Sequence, residues 1–411
     1  MLTSLALLVA LQGSSAFTSP LRVQETVRMP LTPRLDGRTS EEEWDRFAVV
    51  DGVQTYFQWE PRELHAAAKL PVGQDFVASF DVSGDGWLVG KDNIEARVSW
   101  NGGSPKVHVR VLDATDAAGP RWVEDPAMEG AALVGAASSG GDWTVELTLG
   151  DAGHDLFPEG SVPAFALRLN GVPATSPSVD PLTARALFKV AFGWERDSGL
   201  PEGLKWKPEL QARSVVPGDA NRIRLTFTGS NDLNLRRIEV RTEGLGREYA
   251  LGMQQPFPDF DNKGRAFVDY DTKIDDKAPL GYRLVRGTLT DANGRVSQIQ
   301  CSYQVSEPVS FDVVPLKGVK SKPEEQKIRV TLYVKSHTAK RIDGIFLAEP
   351  PSGWTIASGS GGSFLIYNSR GSSRRSLELI APAGAKGSFP IKVSARIGLL
   401  DVKDTIWIHI S

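Results

Sequence analysis

A single cysteine, Cys301, stands in 411 residues, which excludes an internal disulfide framework and a cysteine-based zinc site. Its alternation with polar neighbours (Ile299-Gln300-Cys301-Ser302-Tyr303) reads as a buried strand thiol. The five histidines, His65, His108, His154, His337 and His409, are scattered singly without an H-E-x-x-H pair, so a zinc-hydrolase signature is missing. No serine lies in G-x-S-x-G, and the lone thiol has no evident partner histidine. Charge of one sign is also scarce: 47 basic residues against 50 acidic ones leave a net charge of -3, with no basic patch for nucleic acid and no acidic tail. No apolar run approaches the ~20 residues of a membrane-spanning helix. Helical periodicity is nearly absent as well. Two-residue alternation recurs instead between clusters of Gly, Pro, Asn and Asp, and 40 Gly and 26 Pro supply frequent turns. The expectation is an all-β chain of consecutive sandwiches.

What is there divides the chain. The stretch MLTSLALLVALQGSSA, residues 1–16, combines a short apolar run with a small-x-small site and reads as a secretory signal, placing the mature chain outside the cell, in the periplasm or at the cell surface. Alternating strands then fill residues 26–195: 55–59, 63–69, 75–82, 93–99, 107–111, 143–149 and 164–170. Between them, residues 113–141 are too long for a hairpin and read as a surface excursion. A Pro- and Lys-rich linker is expected at 196–208. A second sandwich follows at 209–307, where Ile223, Leu225 and Phe227 alternate with polar residues and Asp291-Ala292-Asn293-Gly294 makes a turn. The third sandwich, 308–411, shows alternation at Ile328, Val330, Leu332 and Val334 and again at Ile406, Ile408 and Ile410. Its turn-rich run 358–363 reads as a flexible loop.

The sharpest local pattern joins two strands. Asp81, Ser83, Asp85, Gly86 and Asp92 fall at positions 1, 3, 5, 6 and 12 of a loop spaced like an EF-hand, with the Trp87 carbonyl at position 7. Two readings stand: oxygen ligands around a structural calcium ion, or a Gly-rich turn whose aspartates bond their own backbone. Strands at both ends exclude an EF-hand proper.

The ten tryptophans are the other signal, because exposed indoles stack on sugar C–H faces whereas buried ones fill cores. Trp44, Trp59 and Trp143 sit in apolar alternating contexts and read as core. Trp87, Trp100, Trp122 and Trp194 are placed in loops, where binding residues concentrate. With 50 acidic residues, no carboxylate pair is singled out for glycoside hydrolysis, and a non-catalytic chain is expected.

Leu35-Asp36-Gly37-Arg38 followed by Glu41-Glu42-Glu43-Trp44 resembles the opening "LDG…E…W" signature of family 9 carbohydrate-binding modules and the DOMON-like sandwiches. The strand ending at Asp81 and Val82, followed by Asp92-Asn93-Ile94-Glu95, fits the same pattern. The resemblance covers about the first 170 residues. It implies a β-sandwich that often carries structural calcium and, in sugar-binding members, a surface slot between aromatic rings, for which Trp100 and Trp122 are the candidates here. Asp343-Gly344, Pro351-Ser352-Gly353-Trp354 and Ala381-Pro382-Ala383-Gly384 are similar to accessory sandwich domains beside glycan-active modules.

The expected function is therefore exported, non-catalytic binding of a polysaccharide or oligosaccharide by the first sandwich. The alternative is a structural or adhesive envelope protein whose sandwiches serve protein contacts. A haem-binding relative of the same sandwich would need an axial ligand such as His65 or Met128.

Overall fold

A computed structural model describes residues 22–23, 27–40, 43–50, 53–82, 93–100, 103–113, 121–152, 164–170, 188–243, 252–314, 316, 318–367 and 370–411. The chain is all-β: strands dominate, with one five-residue α-helix and one 3-10 turn among the described residues. The signal-like residues 1–16 lie outside the described part. No described helix is long and apolar enough to cross a membrane. Two compact units divide between Arg196 and Asp197.

The first unit is a sandwich of two sheets. Its strands are β1 (Arg22–Val23), β2 (Arg46–Val50), β3 (Val53–Glu60), β4 (Glu63–Pro71), β5 (Asp75–Asp81), β6 (Asn93–Ser99), β7 (Lys106–Asp113), β8 (Arg121–Glu124), β9 (Ala132–Ser139), β10 (Asp142–Gly150), β11 (Ala164–Asn170) and β12 (Phe188–Lys189). One sheet runs β1-β12-β11-β5-β6-β7-β8 and the other β2-β3-β4-β10-β9. Alternation decides which face is buried in the core. Phe76, Ala78 and Phe80 of β5 and Ile94, Ala96 and Val98 of β6 supply the inner face of the longer sheet. Phe57 and Trp59, Leu64, Ala66 and Ala68, and Trp143, Val145, Leu147 and Leu149 supply that of the shorter one. Trp59 stacks on Phe192 at 4.5 Å between centroids and 11° between planes, and its indole N–H donates to the Arg28 carbonyl at 2.6 Å.

The expected strands of this unit are all present to within two residues. The excursion 113–141 is a correction: it holds β8, β9 and a helix, α1 (Pro126–Gly130), between them. The local reason is chemical. Asp125 caps α1, its Oδ1 accepting the amides of Ala127 and Met128, and Pro126 sits at the first helical position, where no backbone donor is lost.

The second unit holds two sandwiches. In the first of them, Lys205–Leu210, Ala220–Thr228 and Arg265–Lys273 form a three-stranded sheet. Residues 196–208 are thus no bare connector, since the strand starting at Lys205 pairs Trp206 with Phe227. Cys301 is buried, as its alternation implies. The strands Gly281–Asp291 and Val296–Val305 meet through the expected turn, where the Asp291 carboxylate accepts the amides of Asn293 and Arg295. The last sandwich packs two four-stranded sheets over Val330, Leu332, Phe346, Leu377 and Ile406. In it, the run 358–363 is a correction too: Gly361–Ile366 is a strand paired with Ile342–Glu349. Gly359 turns the chain at φ +84, where an added Cβ would lie 2.1 Å from the Ser376 carbonyl oxygen.

Candidate functional site

Among the expected loop ligands, Asp81 is the last residue of β5, wholly buried and paired in register with Asn93 of β6. Ser83, Asp85, Trp87 and Asp92 lie outside the described residues. The two candidate sugar-stacking tryptophans do not meet. Trp100 follows β6, is half-buried, stacks on the buried Trp143 (5.6 Å, 29°) and donates its indole N–H to the Gly103 carbonyl. That is packing. Trp122 lies in β8, opposite Leu112 of β7, with the Arg110 guanidinium 5.6 Å from its ring centroid. Ser99, next to Trp100, pairs with Lys106 at the other end of β7. Six residues of strand therefore separate the two positions, roughly 20 Å at ~3.3 Å each. One slot cannot use both rings.

The structure instead brings together a row of polar side chains on the face of the seven-stranded sheet that points away from the core. Ser79 and Asp81 of β5, Asn93, Glu95 and Arg97 of β6, and Arg110 of β7 share this face with Trp122, because the register pairs Ser79 with Glu95, Glu95 with Arg110, and Leu112 with Trp122. Five of them, Ser79, Asp81, Asn93, Glu95 and Arg97, are nevertheless buried. Glu95 Oε1 accepts from the Arg110 guanidinium, which also reaches toward Trp122. Arg97 lies 3.9 Å from Asp75, whose carboxyl is raised by burial while Arg97 pulls it back down. Ser79 Oγ and Glu95 Oε2 have no hydrogen-bond partner among the described residues. The arrangement leaves a guanidinium and an aromatic ring half-buried side by side, with the buried Glu95 carboxylate orienting the guanidinium from beneath. The sequence carried a faint signal for it in the polar positions Asn93, Glu95 and Arg97. Alone, those positions read as an ordinary solvated strand face.

The motif Leu35-Asp36-Gly37 has a structural role in the same unit. The Gly37 amide donates to Glu146 Oε2 at 2.6 Å, docking residues 35–37 on the outer face of β9 and β10. Glu146 is wholly buried, and its carboxyl is pushed up to about 7 by desolvation, with the Gly37 amide opposing and Asp36 adding to the rise. His65, considered above as an axial haem ligand, has both ring nitrogens committed, to Thr148 Oγ1 at 2.8 Å and Glu60 Oε1 at 2.7 Å. Met128 is buried in α1.

No family description and no curated protein matches this chain. Among solved structures, it is similar to Escherichia coli alpha-2-macroglobulin activated by porcine elastase, at 10% identity and a TM-score of 0.28, over 87% of this chain and 33% of that one. Red sea bream transglutaminase gives 10% identity and a TM-score of 0.30, over 82% and 57%. A membrane-anchored protein from Corynebacterium diphtheriae gives 12% and 0.21, over 87% and 91%. The chain thus spans about a third of the macroglobulin's length. Values this low transfer none of those proteins' chemistry.

Proposed function

We propose that this is an exported, non-catalytic protein that binds a polysaccharide or oligosaccharide on the outer face of the seven-stranded sheet in its first sandwich. The observation that carries this reading is the half-buried Trp122 with the half-buried Arg110 guanidinium beside its ring, the guanidinium held in place by the buried Glu95 carboxylate. A guanidinium held by a carboxylate donates to neighbouring sugar hydroxyls, and an indole covers the apolar face of the ring. Trp122 keeps its candidate role; Trp100 is reassigned to packing against Trp143. Calcium in the loop that follows Asp81 would hold the ends of β5 and β6 together, fixing one border of this face.

The test is a glycan array followed by polysaccharide pull-down with Trp122→Ala, Glu95→Gln and Trp100→Ala, each checked for unchanged far-UV circular dichroism. Binding should fall at least tenfold in the first two and persist in Trp100→Ala. Binding that survives Trp122→Ala and Glu95→Gln would move the site elsewhere. Absence of binding to any glycan would favour the second reading, a structural or adhesive role through protein contacts. That reading draws on the exposed Ile345 and Leu347, which stand two residues apart on one face of Ile342–Glu349 in the last sandwich.

A further inference from the structure

The hairpin of β3 and β4 places three ligand-type side chains against one another at the opposite sheet of the first sandwich. Glu60 and Glu63 are the closing pair across the Pro61-Arg62 turn, with Arg62 in the left-handed region at φ 78, and His65 follows Glu63 by two residues on the same face. One carboxylate oxygen from each glutamate and a ring nitrogen of His65 all lie within 4.8 Å of one another. Glu60 and His65 are buried, and Glu63 is half-buried.

Two hydrogen bonds orient these side chains from outside the cluster. Thr32 Oγ1 donates to Glu60 Oε2 at 3.0 Å, leaving Oε1 for the cluster. Thr148 Oγ1 lies 2.8 Å from His65 Nδ1, on the far side of the ring from Nε2. An imidazole whose remote nitrogen is held by a hydroxyl or carbonyl is the usual outer support of a metal-bound histidine, because it fixes the ring and the tautomer. Two carboxylates this close inside a protein also repel when both are ionised. Their charge is balanced either by protons or by a cation.

We propose that Glu60, Glu63 and His65 form a binding site for a divalent transition ion of the zinc type. His65 Nε2 and one oxygen from each glutamate are the three protein ligands, and a water takes the fourth position. With the metal on Nε2, the single proton of the neutral imidazole resides on Nδ1, from which it donates to Thr148 Oγ1, and any proton held by the two carboxylates leaves to solvent. The Glu60–His65 separation of 2.7 Å opens to about 3.3 Å, the spacing of two ligands at ~2.0 Å around a tetrahedral centre. Calcium is disfavoured, since it takes six to eight oxygens and no imidazole. This site is separate from the polar face assigned to glycan binding: it lies at the β3–β4 turn, in the other sheet.

The experiment uses the full chain, stripped with chelator and then dialysed against zinc or calcium. One zinc per chain should remain by elemental analysis, with a rise in melting temperature, and Co2+ should give a visible absorption band in its place. Glu63→Gln, at the half-buried position, should lose at least tenfold in zinc affinity, and His65→Asn should abolish the cobalt band. His108→Ala, in the exposed cluster with Glu124 and Glu129, should leave both signals intact. No stoichiometric zinc, equal binding by Glu63→Gln, or loss of binding in His108→Ala would each overturn the assignment.

Discussion

A methyl group on Gly37 would lie 2.3 Å from the Ala137 Cβ, and the backbone there sits at φ +80, a region that favours glycine. Any other residue must therefore push residues 35–37 off β9 and lengthen the Gly37 amide bond to the buried Glu146. Gly37→Ala should cost about 2–4 kcal/mol, combining left-handed strain with overpacking, as read by urea unfolding of the first unit. In the sequence, the same glycine is legible as part of a family-like signature, but its reason is not. The residues it depends on, Ala137 and Glu146, lie about a hundred positions further along the chain, and only the sheet register brings them under it. Trp100 and Trp122 make the opposite point. Both look alike in sequence, loop-like and flanked by polar residues, yet one stacks on Trp143 and the other stands beside Arg110.

At the scale of elements, strict alternation made β7 and β10 readable almost to the residue, because each sets apolar residues on its core face and polar residues on the other. The region 113–141 lacks that signal: β9, ALVGAASS, is an edge strand of small residues with no fully buried face. Its pairing with β10 is dictated by the partner rather than by its own pattern. The loop between β5 and β6 gives an element-scale prediction. If calcium ties the strand ends at Asp81 and Asn93 together, adding it to stripped protein raises the melting temperature of the first unit, and Asp85→Ala and Asp92→Ala abolish the rise while leaving any zinc response intact. An unchanged transition with calcium removes the ion and leaves the Gly-rich turn.

Across the whole molecule, two buried titrating groups give the two units opposite responses to acid. Burial pushes Glu146 up to about 7, above the 4.5 usual for the group, so in the folded first unit it holds a proton that the unfolded chain releases. Its contribution is complete below about pH 4 and is lost as pH rises through 7, at no more than about 1.4 kcal/mol per pH unit. In the second unit, burial and then Lys335 lower His337 from 6.5 to about 4, and its Nε2 lies 2.8 Å from Ser310 Oγ. That contribution is present above about pH 6.5 and is lost as pH falls through 4. Calorimetry from pH 7 to 5 should therefore raise the transition of the first unit and lower that of the second. Glu146→Gln should flatten the first trend, and His337→Asn the second; two transitions moving together would refute the assignment. The sequence by itself determined the all-β class, most strands of the first sandwich and the buried state of Cys301, since these follow from local alternation and from which residues water rejects. Only the tertiary structure decided which polar residues gather into the face around Glu95 and which into the Glu60–Glu63–His65 cluster. The face around Glu95 depends on the register of β5 to β8, and the cluster on how the β3–β4 hairpin closes and on Thr32 and Thr148 reaching it from distant segments; no single strand's pattern records its partner.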